Sequence, residues 1–358
     1  MIYRLKQTEF FHVLPLVEDV QHALIVRAVA EGSAPGWIVV DDPGSPKTLF
    51  ASTPEGYYLL GESTNRDFNR GLGELITGKI LPGGKSDGWA VFYLHHHPDS
   101  WAEWLDESLG DLGPVKDYQR YFRFRELKFN WHDRIPAGFS VRRVDQTLLS
   151  QSYLKNIEAL KRQANSNFGS IDGYLDNGFG FCLLHGDEIV CWCMSDCVSG
   201  DSCEVGIRTD TAYRRRGFAT ITVAATIEHC LSKGLTQIGW HCWSSNLASA
   251  ATALGVGFEE VLEHHAFIVW LRKVDGMLVN GNLKLMQHRF AEAASYYEQA
   301  FQLMILPGEE SFLLGSAVEK QLYYYHAACA WALAGEKAAS LETLEKALEI
   351  GGFRQGGY

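Results

Sequence analysis

Three consecutive arginines followed by small residues make the strongest chemical signal in the chain. The order is Arg214, Arg215, Arg216, Gly217, Phe218, Ala219. Small residues let a ligand approach the backbone closely, and guanidinium groups bind anions. If a helix begins here, its first N–H groups and the positive end of its dipole face the same ligand. The segment therefore predicts a phosphate or pyrophosphate site, against the alternative of a basic loop that merely caps a helix.

The flanking residues predict the elements that would position this loop. In residues 203–209, the β-branched Val205 and Ile207 alternate with charged residues, which is the period of a strand. Residues 220–233 carry apolar side chains at helical spacing. We therefore expect the loop to connect the end of a strand to the beginning of a helix.

The pattern Arg214-x-x-Gly217-x-Ala219, placed between a strand and a helix, resembles the R/Q-x-x-G-x-G/A signature of the GNAT superfamily of acetyltransferases. It matches neither the GxGxxG of nucleotide dehydrogenases nor the P-loop of NTPases. A second signature of that family, Asn-x-x-Ser or Ala followed eight residues on by Gly-Phe, resembles the run from Asn246 to Ser249 with Gly257 and Phe258.

The resemblance implies that the loop holds the pyrophosphate of acetyl-CoA and that the preceding strand binds the pantetheine arm. One backbone N–H within residues 207–209 would polarise the thioester carbonyl. The cofactor-binding residues that it implies are Ile207, Arg208, Thr209, Arg214, Arg215, Arg216, Gly217, Phe218, Ala219, Thr220 and Asn246.

The resemblance also implies a catalytic role for Glu204, since many GNAT enzymes use a glutamate near this position as the base. A carboxylate in a partly buried cleft has a raised pKa, which helps it to remove a proton from an ammonium group. The alternative is a polar residue on a solvent face or in an ion pair. Ala253 stands where the family often has a tyrosine that protonates the leaving thiolate, so the general acid stays unassigned.

Composition limits the classes of protein. The 358 residues carry a net charge of −11, which argues against nucleic acid as the main partner and suits an amine substrate. No apolar run reaches the ~20 residues of a membrane span, and residues 1–10 lack the apolar core of a signal peptide. Seven of the eight cysteines lie between Cys182 and Cys242, in segments that predict strands or helices. We expect reduced core cysteines in a cytoplasmic protein.

The predicted order of elements indicates an α+β chain of three parts. Residues 137–273 form the domain that resembles GNAT enzymes, with a hairpin turn at Gly186 and Asp187. Within it, 168–177 is predicted as a loop, and 258–262 with 265–271 as a closing strand pair. Residues 1–130 repeat the order of elements without the arginine motif, which predicts a degenerate GNAT-like domain that does not bind the cofactor strongly.

Residues 274–358 predict an all-α tail that resembles tetratricopeptide repeats, with Ala328, Ala332, Ala338 and Ala347 at small-residue packing positions. The predicted hairpins pair 281–290 with 291–304, ended by Pro307 and Gly308, and 318–333 with 336–350. Two hairpins are fewer than such repeats need to stand alone. We expect the tail to pack on the catalytic domain or on another subunit, or else to be a helical cap without a partner.

No metal site is predicted. In the run His95 to His97, neighbouring strand residues point to opposite faces, so only the first and third could share a metal. The cysteines at 191 and 193 share a face but lack zinc-ligand spacing, and core packing is the favoured interpretation.

The sequence predicts an acetyl-CoA-dependent N-acetyltransferase that acts directly on the amine of a small polar molecule. The paired layout resembles the bacterial subgroup that includes the zwittermicin-resistance acetyltransferase, which implies an aminopolyol or amino-sugar acceptor. One alternative is an acyl-CoA-binding regulatory or scaffold protein without turnover. Another is a protein N-acetyltransferase whose tail recruits its substrate, and a homo-oligomer through the tail is also left open.

Overall fold

A computed structural model describes residues 1–306 and 309–352, so the break predicted at Pro307 and Gly308 lies outside the described residues. The strands are β1 (Tyr3–Arg4), β2 (Trp37–Val40), β3 (Thr48–Thr53), β4 (Gly56–Gly61), β5 (Val91–His97), β6 (Val115–Phe124), β7 (Phe139–Arg143), β8 (Gly180–His185), β9 (Glu188–Ser199), β10 (Ser202–Thr209), β11 (Gln237–Trp243) and β12 (Phe258–Trp270). The helices are α1 (Leu14–Val17), α2 (Leu24–Glu31), α3 (Arg66–Leu75), α4 (Leu81–Ser86), α5 (Trp101–Leu109), α6 (Gln146–Leu149), α7 (Ile157–Phe168), α8 (Ile171–Asn177), α9 (Phe218–Ser232), α10 (Leu247–Val256), α11 (Lys273–Met286), α12 (Phe290–Leu303), α13 (Ala317–Leu333) and α14 (Lys337–Ile350). Along these residues, no helix combines the length and apolar content needed to cross a membrane.

The strands form a mixed sheet in the order β1-β2-β3-β4-β5-β12-β6-β11-β10-β9-β8-β7. The chain follows one succession of elements twice, once from β1 to β6 and once from β7 to β12. The last strands are exchanged, because β6 pairs with β11 and β12 lies next to β5. Side chains of the first half therefore lie beside strands of the second half. The fold is α+β, with two mixed-sheet halves followed by helices, as the sequence predicted.

Three local predictions are wrong. Residues 171–177 form α8 rather than a loop, because the Ser170 hydroxyl caps it by accepting the N–H of Gly173 at 2.9 Å and Tyr174 is buried beneath it. The closing strand pair is the single strand β12. The first tail helix begins at Lys273, earlier than predicted, and contains Gly281, where a Cβ atom would lie 2.7 Å from the Tyr297 ring.

The predicted hairpin turn is confirmed. Two residues, Gly186 and Asp187, connect β8 to β9, and Gly186 has a φ of 61°. Glycine adopts this left-handed conformation without a Cβ clash, which suits a tight hairpin.

The described residues fall into two compact units. The first contains Met1–Gly71, Leu94–Ala102 and Asp117–Ala266, and the second contains Leu72–Tyr93, Glu103–Lys116 and the residues from Phe267 onward. The second unit has a core of small residues around Tyr297, which lets the tail helices approach closely. The division into 1–130, 137–273 and 274–358 describes the linear order of the repeats and stays a prediction.

Candidate active site

The arginine-rich segment forms a tight turn between β10 and α9. A short 3₁₀ turn at Thr211–Tyr213 is capped by Asp210, which accepts a backbone N–H at 2.9 Å. Arg215 and Gly217 then take left-handed backbone conformations, with φ of 62° and 78°. That conformation is strained for arginine and is typical of functional loops. No side chain caps α9 at Gly217, so its first N–H groups are left for a ligand at the positive end of the helix dipole.

The buried side of α9 holds this helix end in place. Val223, Ile227 and Cys230 pack in one core with Trp240 and Phe258. A rigid helix presents its N–H groups in a fixed direction, which is what recognition of an anion requires.

The parallel strands β10 and β11 separate beside the loop. Their pairing ends at Glu204, opposite Gly239. A β-bulge follows between Glu204 and Val205, and β10 continues to Thr209 with β9 as its partner. On its other edge, β11 pairs with β6. Backbone groups of β10 that face the gap therefore have no strand partner in the described chain, and an extended ligand could bind them.

A cleft of about 600 Å³ lies between the loop, the end of β10 and α10. It is lined by Ile207, Arg208, Thr209, Tyr213, Arg214, Arg215, Gly217, Phe218, Ala219, Thr220, Asn246, Ala248, Ser249 and Thr252. Each predicted cofactor-binding residue lines the cleft except Arg216, whose guanidinium lies 5.4 Å from the ring centroid of Tyr213. The structure thus brings the two sequence signatures together.

Some residues that line the cleft were not predicted from the sequence. The hydroxyl of Tyr213 donates to Oε2 of Glu188 at 3.0 Å, and Tyr213 lines the cleft. On α10, Ser249 donates its N–H to Oδ1 of Asn246 at 3.1 Å, so Asn246 caps this helix as well as lining the cleft. Ala248 and Thr252 are four residues apart and share one helix face, a spacing that could have revealed them.

The predicted base, Glu204, lies outside the cleft lining and is buried, with 3% exposure. Its Oε2 is 3.0 Å from Nδ1 of His241 on β11. Burial acts to lower the pKa of His241, but the carboxylates of Glu204, Glu55 and Asp196 outweigh it and raise that pKa. Glu204 and His241 therefore favour an ion pair at the point where the strands separate.

Two further carboxyl groups surround this pair. Burial, followed by the charge of Glu204, raises the pKa of Glu55 to about 8. The same two causes raise the pKa of Asp196 to about 7, although Asn167 donates to its Oδ1 at 2.9 Å. Glu55 belongs to the turn between β3 and β4, so the first half contributes to this cluster.

The equivalent place in the first half is closed. β4 and β5 pair in parallel, with Tyr57 to Leu60 opposite Leu94 to His97, so the two strands stay paired to the end of β5. At the beginning of α3, Oδ1 of Asn65 accepts the N–H of Phe68 at 3.1 Å. A side chain thus occupies the helix end that Gly217 leaves open in the second half, which accords with the absence of the arginine motif.

His95 and His96 of the histidine run are buried, whereas His97 is exposed. The ring of His95 is 4.8 Å from that of Tyr58 and 5.7 Å from that of His264, and burial lowers its pKa to about 3. Cys191 and Cys193 are buried core residues. Among the described residues, the group with metal-ligand spacing is Glu55, Cys197 and Glu204, which the sequence did not indicate.

Comparison with known proteins gives consistent matches. An uncharacterized N-acetyltransferase, YdfB of Bacillus subtilis (strain 168), is 27% identical over 266 residues, covering 74% of this chain and 97% of that protein. A GCN5-related N-acetyltransferase-like protein from Streptococcus suis 89/1591 is similar in structure, with a TM-score of 0.54 and 23% identity, covering 74% of this chain and 98% of that one. A tandem GNAT protein from the clavulanic acid biosynthesis pathway has a TM-score of 0.50 and 11% identity, covering 76% and 98%.

The family model described as GNAT acetyltransferase matches residues 14–267. This range runs from α1 into β12 and contains both the arginine loop and the divergence of β10 from β11. The chain therefore belongs to the GNAT acetyltransferase family and is an acyltransferase.

Proposed function

We propose that the protein transfers an acetyl group from acetyl-CoA directly to the amine of a small polar molecule. The observation that carries the proposal is the open end of α9, where uncapped N–H groups and the exposed Arg214 and Arg215 lie beside the divergence of β10 from β11. Acetyl-CoA, the cosubstrate of GNAT enzymes, supplies the activated acetyl thioester.

Each part of the cleft has a role in this proposal. The arginines and the first turn of α9 bind the pyrophosphate, and residues 207–209 bind the pantetheine arm through their backbone. One of those N–H groups polarises the thioester carbonyl. Glu204, held by His241, takes the proton that the acceptor ammonium must lose.

The leaving group needs no strong acid. Ala253 is fully buried at the position where the family often has a tyrosine. A thiolate is a weak enough base to leave without prior protonation, and the absence of that tyrosine therefore fits turnover.

We further infer an acceptor of the aminopolyol or amino-sugar kind, because the paired layout resembles the zwittermicin-resistance subgroup and the net charge of −11 suits an amine. We place the protein in the cytoplasm, which the eight free cysteines favour. The tail's resemblance to tetratricopeptide repeats stays a prediction. Its contact with a protein or a second copy also stays a prediction, and the oligomeric state of the full chain tests the contact with a second copy.

The first experiment is calorimetric titration with acetyl-CoA, followed by thiol release with aminoglycosides, polyamines, amino acids and N-terminal peptides. We expect binding, and release with one class of small amines. Binding without release for any amine would support the regulatory alternative, and release with peptides alone would support a protein acetyltransferase. No binding by the folded chain would refute the proposal.

A further inference from the structure

Two carboxyl groups from different halves of the chain face each other inside the first compact unit. One ligand atom each from Glu55, Glu204 and Cys197 lies within 4.8 Å of the others. Glu55 is placed by the turn between β3 and β4, whereas Glu204 is the last residue of β10 that pairs with β11. The cluster thus lies where the strands separate, three residues along the strand from the cleft residue Ile207.

An unpartnered buried atom points to a ligand at this cluster. Glu204 is 3% exposed, and its Oε1 has no hydrogen-bond partner in the described part of the chain. Its Oε2 is used by His241, and Oε2 of Glu55 accepts the hydroxyl of Tyr58 at 3.0 Å. An unsatisfied buried carboxylate oxygen is costly, so it is a good acceptor for a cationic donor.

Two glycines let the backbone pack closely against the carboxyl groups. A Cβ atom on Gly239 would lie 2.8 Å from the Tyr121 hydroxyl and 2.9 Å from Cγ of Glu204. One on Gly206 would lie 2.5 Å from Oδ2 of Asp196. Tyr121 also lines a cavity of about 100 Å³, together with Arg123 and Glu18.

We propose that Glu55 and Glu204 together bind the ammonium group of the acceptor, so that the first half of the chain supplies part of the acceptor site. This inference rests on the proposed acetyl transfer and specifies its acceptor as a primary alkylammonium. The groups that face the cluster are Asp196, His241, Tyr58, Tyr121 and Cys197, and Arg123 contacts Tyr121. His241 is the cation in direct contact with Glu204. An acceptor that carries its own carboxylate is repelled, whereas an additional amine is tolerated.

An ammonium ion fits this group better than a metal ion. Burial, then the charges of Glu204 and Glu55, raises the pKa of Cys197 well above its ordinary value, and metal ions bind the thiolate rather than the thiol. An ammonium has three N–H donors for the two carboxylates and a third acceptor.

The transfer step is balanced with the groups named. One ammonium proton passes to Glu204, and the nitrogen lone pair forms the C–N bond to the thioester carbonyl carbon. The C–S bond then breaks, and its electron pair leaves on the sulfur of coenzyme A. The second proton of the nitrogen passes to that thiolate, so the products are the neutral amide and the thiol of coenzyme A. Glu55 remains beside the nitrogen throughout and positions it, so Glu55 is a positioning residue.

The test compares Glu55→Gln with Glu62→Gln, whose side chain is 59% exposed in the same half. Each full-length variant is saturated with coenzyme A and titrated with n-butylamine, and with n-butanol as a neutral isostere. We expect wild type and Glu62→Gln to bind the amine but not the alcohol, and Glu55→Gln to lose at least about tenfold in affinity. Calorimetry in two buffers at neutral pH should show proton release on binding to wild type and less release for Glu55→Gln.

Glu55→Asp keeps the carboxyl group and is expected to recover part of the affinity, which separates this role from a loss of folding. Equal affinity of wild type and Glu55→Gln for n-butylamine would overturn the proposal. Binding of Zn²⁺ that depends on Glu55, in a protein that does not bind n-butylamine, would also overturn the proposal. If wild type binds n-butylamine but transfers no acetyl group, the proposed function fails and this site stands. If wild type transfers the acetyl group and Glu55→Gln has the same KM for the amine, the proposed function stands and this site fails.

Discussion

Nδ1 of His241 lies 3.0 Å from Oε2 of Glu204, at the point where β10 and β11 cease to pair. Strands hold both residues, so the distance between them is set by the sheet rather than by a mobile loop. The imidazole uses one oxygen of the carboxylate and leaves Oε1 without a partner among the described residues. The arrangement orients Glu204 and keeps one oxygen available for a proton.

Glu204→Gln should lower kcat and leave acetyl-CoA affinity unchanged. The amide has nearly the same shape but cannot take a proton, and loss of a general base costs about 10²- to 10⁴-fold in rate. Steady-state kinetics with the best amine of the panel, together with calorimetry for acetyl-CoA, measures both quantities. Glu263→Gln on β12, an exposed position, is the matched control. A Glu204→Gln enzyme with wild-type kcat would show that the base lies elsewhere.

Arg215→Ala should weaken acetyl-CoA binding by about 10- to 100-fold, the cost of a charge-assisted hydrogen bond. Arg216→Ala should lose less, because Arg216 lies against Tyr213 and outside the cleft lining. Arg70→Ala, at an exposed arginine of α3, controls for the change in net charge. Equal losses for Arg215→Ala and Arg216→Ala would show that both arginines reach the ligand.

The arginine loop could be predicted from sequence because its information is local. A strand period, a basic turn, small residues and a helix period follow one another without a gap from Cys203 onward. The structure places those elements in the predicted order, and the two signatures meet in one cleft. Predictions failed where a local pattern was ambiguous, as in β12, where Glu263 and His264 suggested a turn but His264 is buried within the strand.

The carboxylate cluster could not be predicted in the same way. Glu55 precedes Glu204 by about 150 residues and comes from the half without the motif. The two meet because the sheet continues through both halves, with the last strands exchanged. No period or spacing in the sequence encodes that exchange, since it depends on which strand edges pair in the folded protein.

Gly217→Ala should destabilise the protein by about 1–2 kcal/mol, the cost of a left-handed conformation with a Cβ atom. A Cβ at this position meets nothing within 4 Å, so the cost lies in the backbone rather than in a clash. Gly255→Ala is the matched control, because it also meets nothing but lies within α10. There the change should stabilise by about 0.5–1 kcal/mol. Urea unfolding measures both, and a neutral Gly217→Ala would indicate that the loop rearranges freely.

Glu55→Gln should stabilise the protein increasingly as the pH rises. The folded state holds the Glu55 proton up to about pH 8, whereas an ordinary glutamate loses it near 4.5. Between these values the folded state binds more protons than the unfolded chain. This group therefore lowers the free energy of unfolding as the pH rises, by at most about 1.4 kcal/mol per pH unit, and its effect levels off above the folded pKa.

Glutamine does not titrate, so the gain of Glu55→Gln over wild type should grow between about pH 5 and about pH 8. The titration of Asp196 is largely common to both proteins, so most of it cancels in the difference. Urea unfolding at several pH values measures that difference, with Glu62→Gln as the exposed control. A gain that does not change with pH would mean that Glu55 is already ionised in the folded protein.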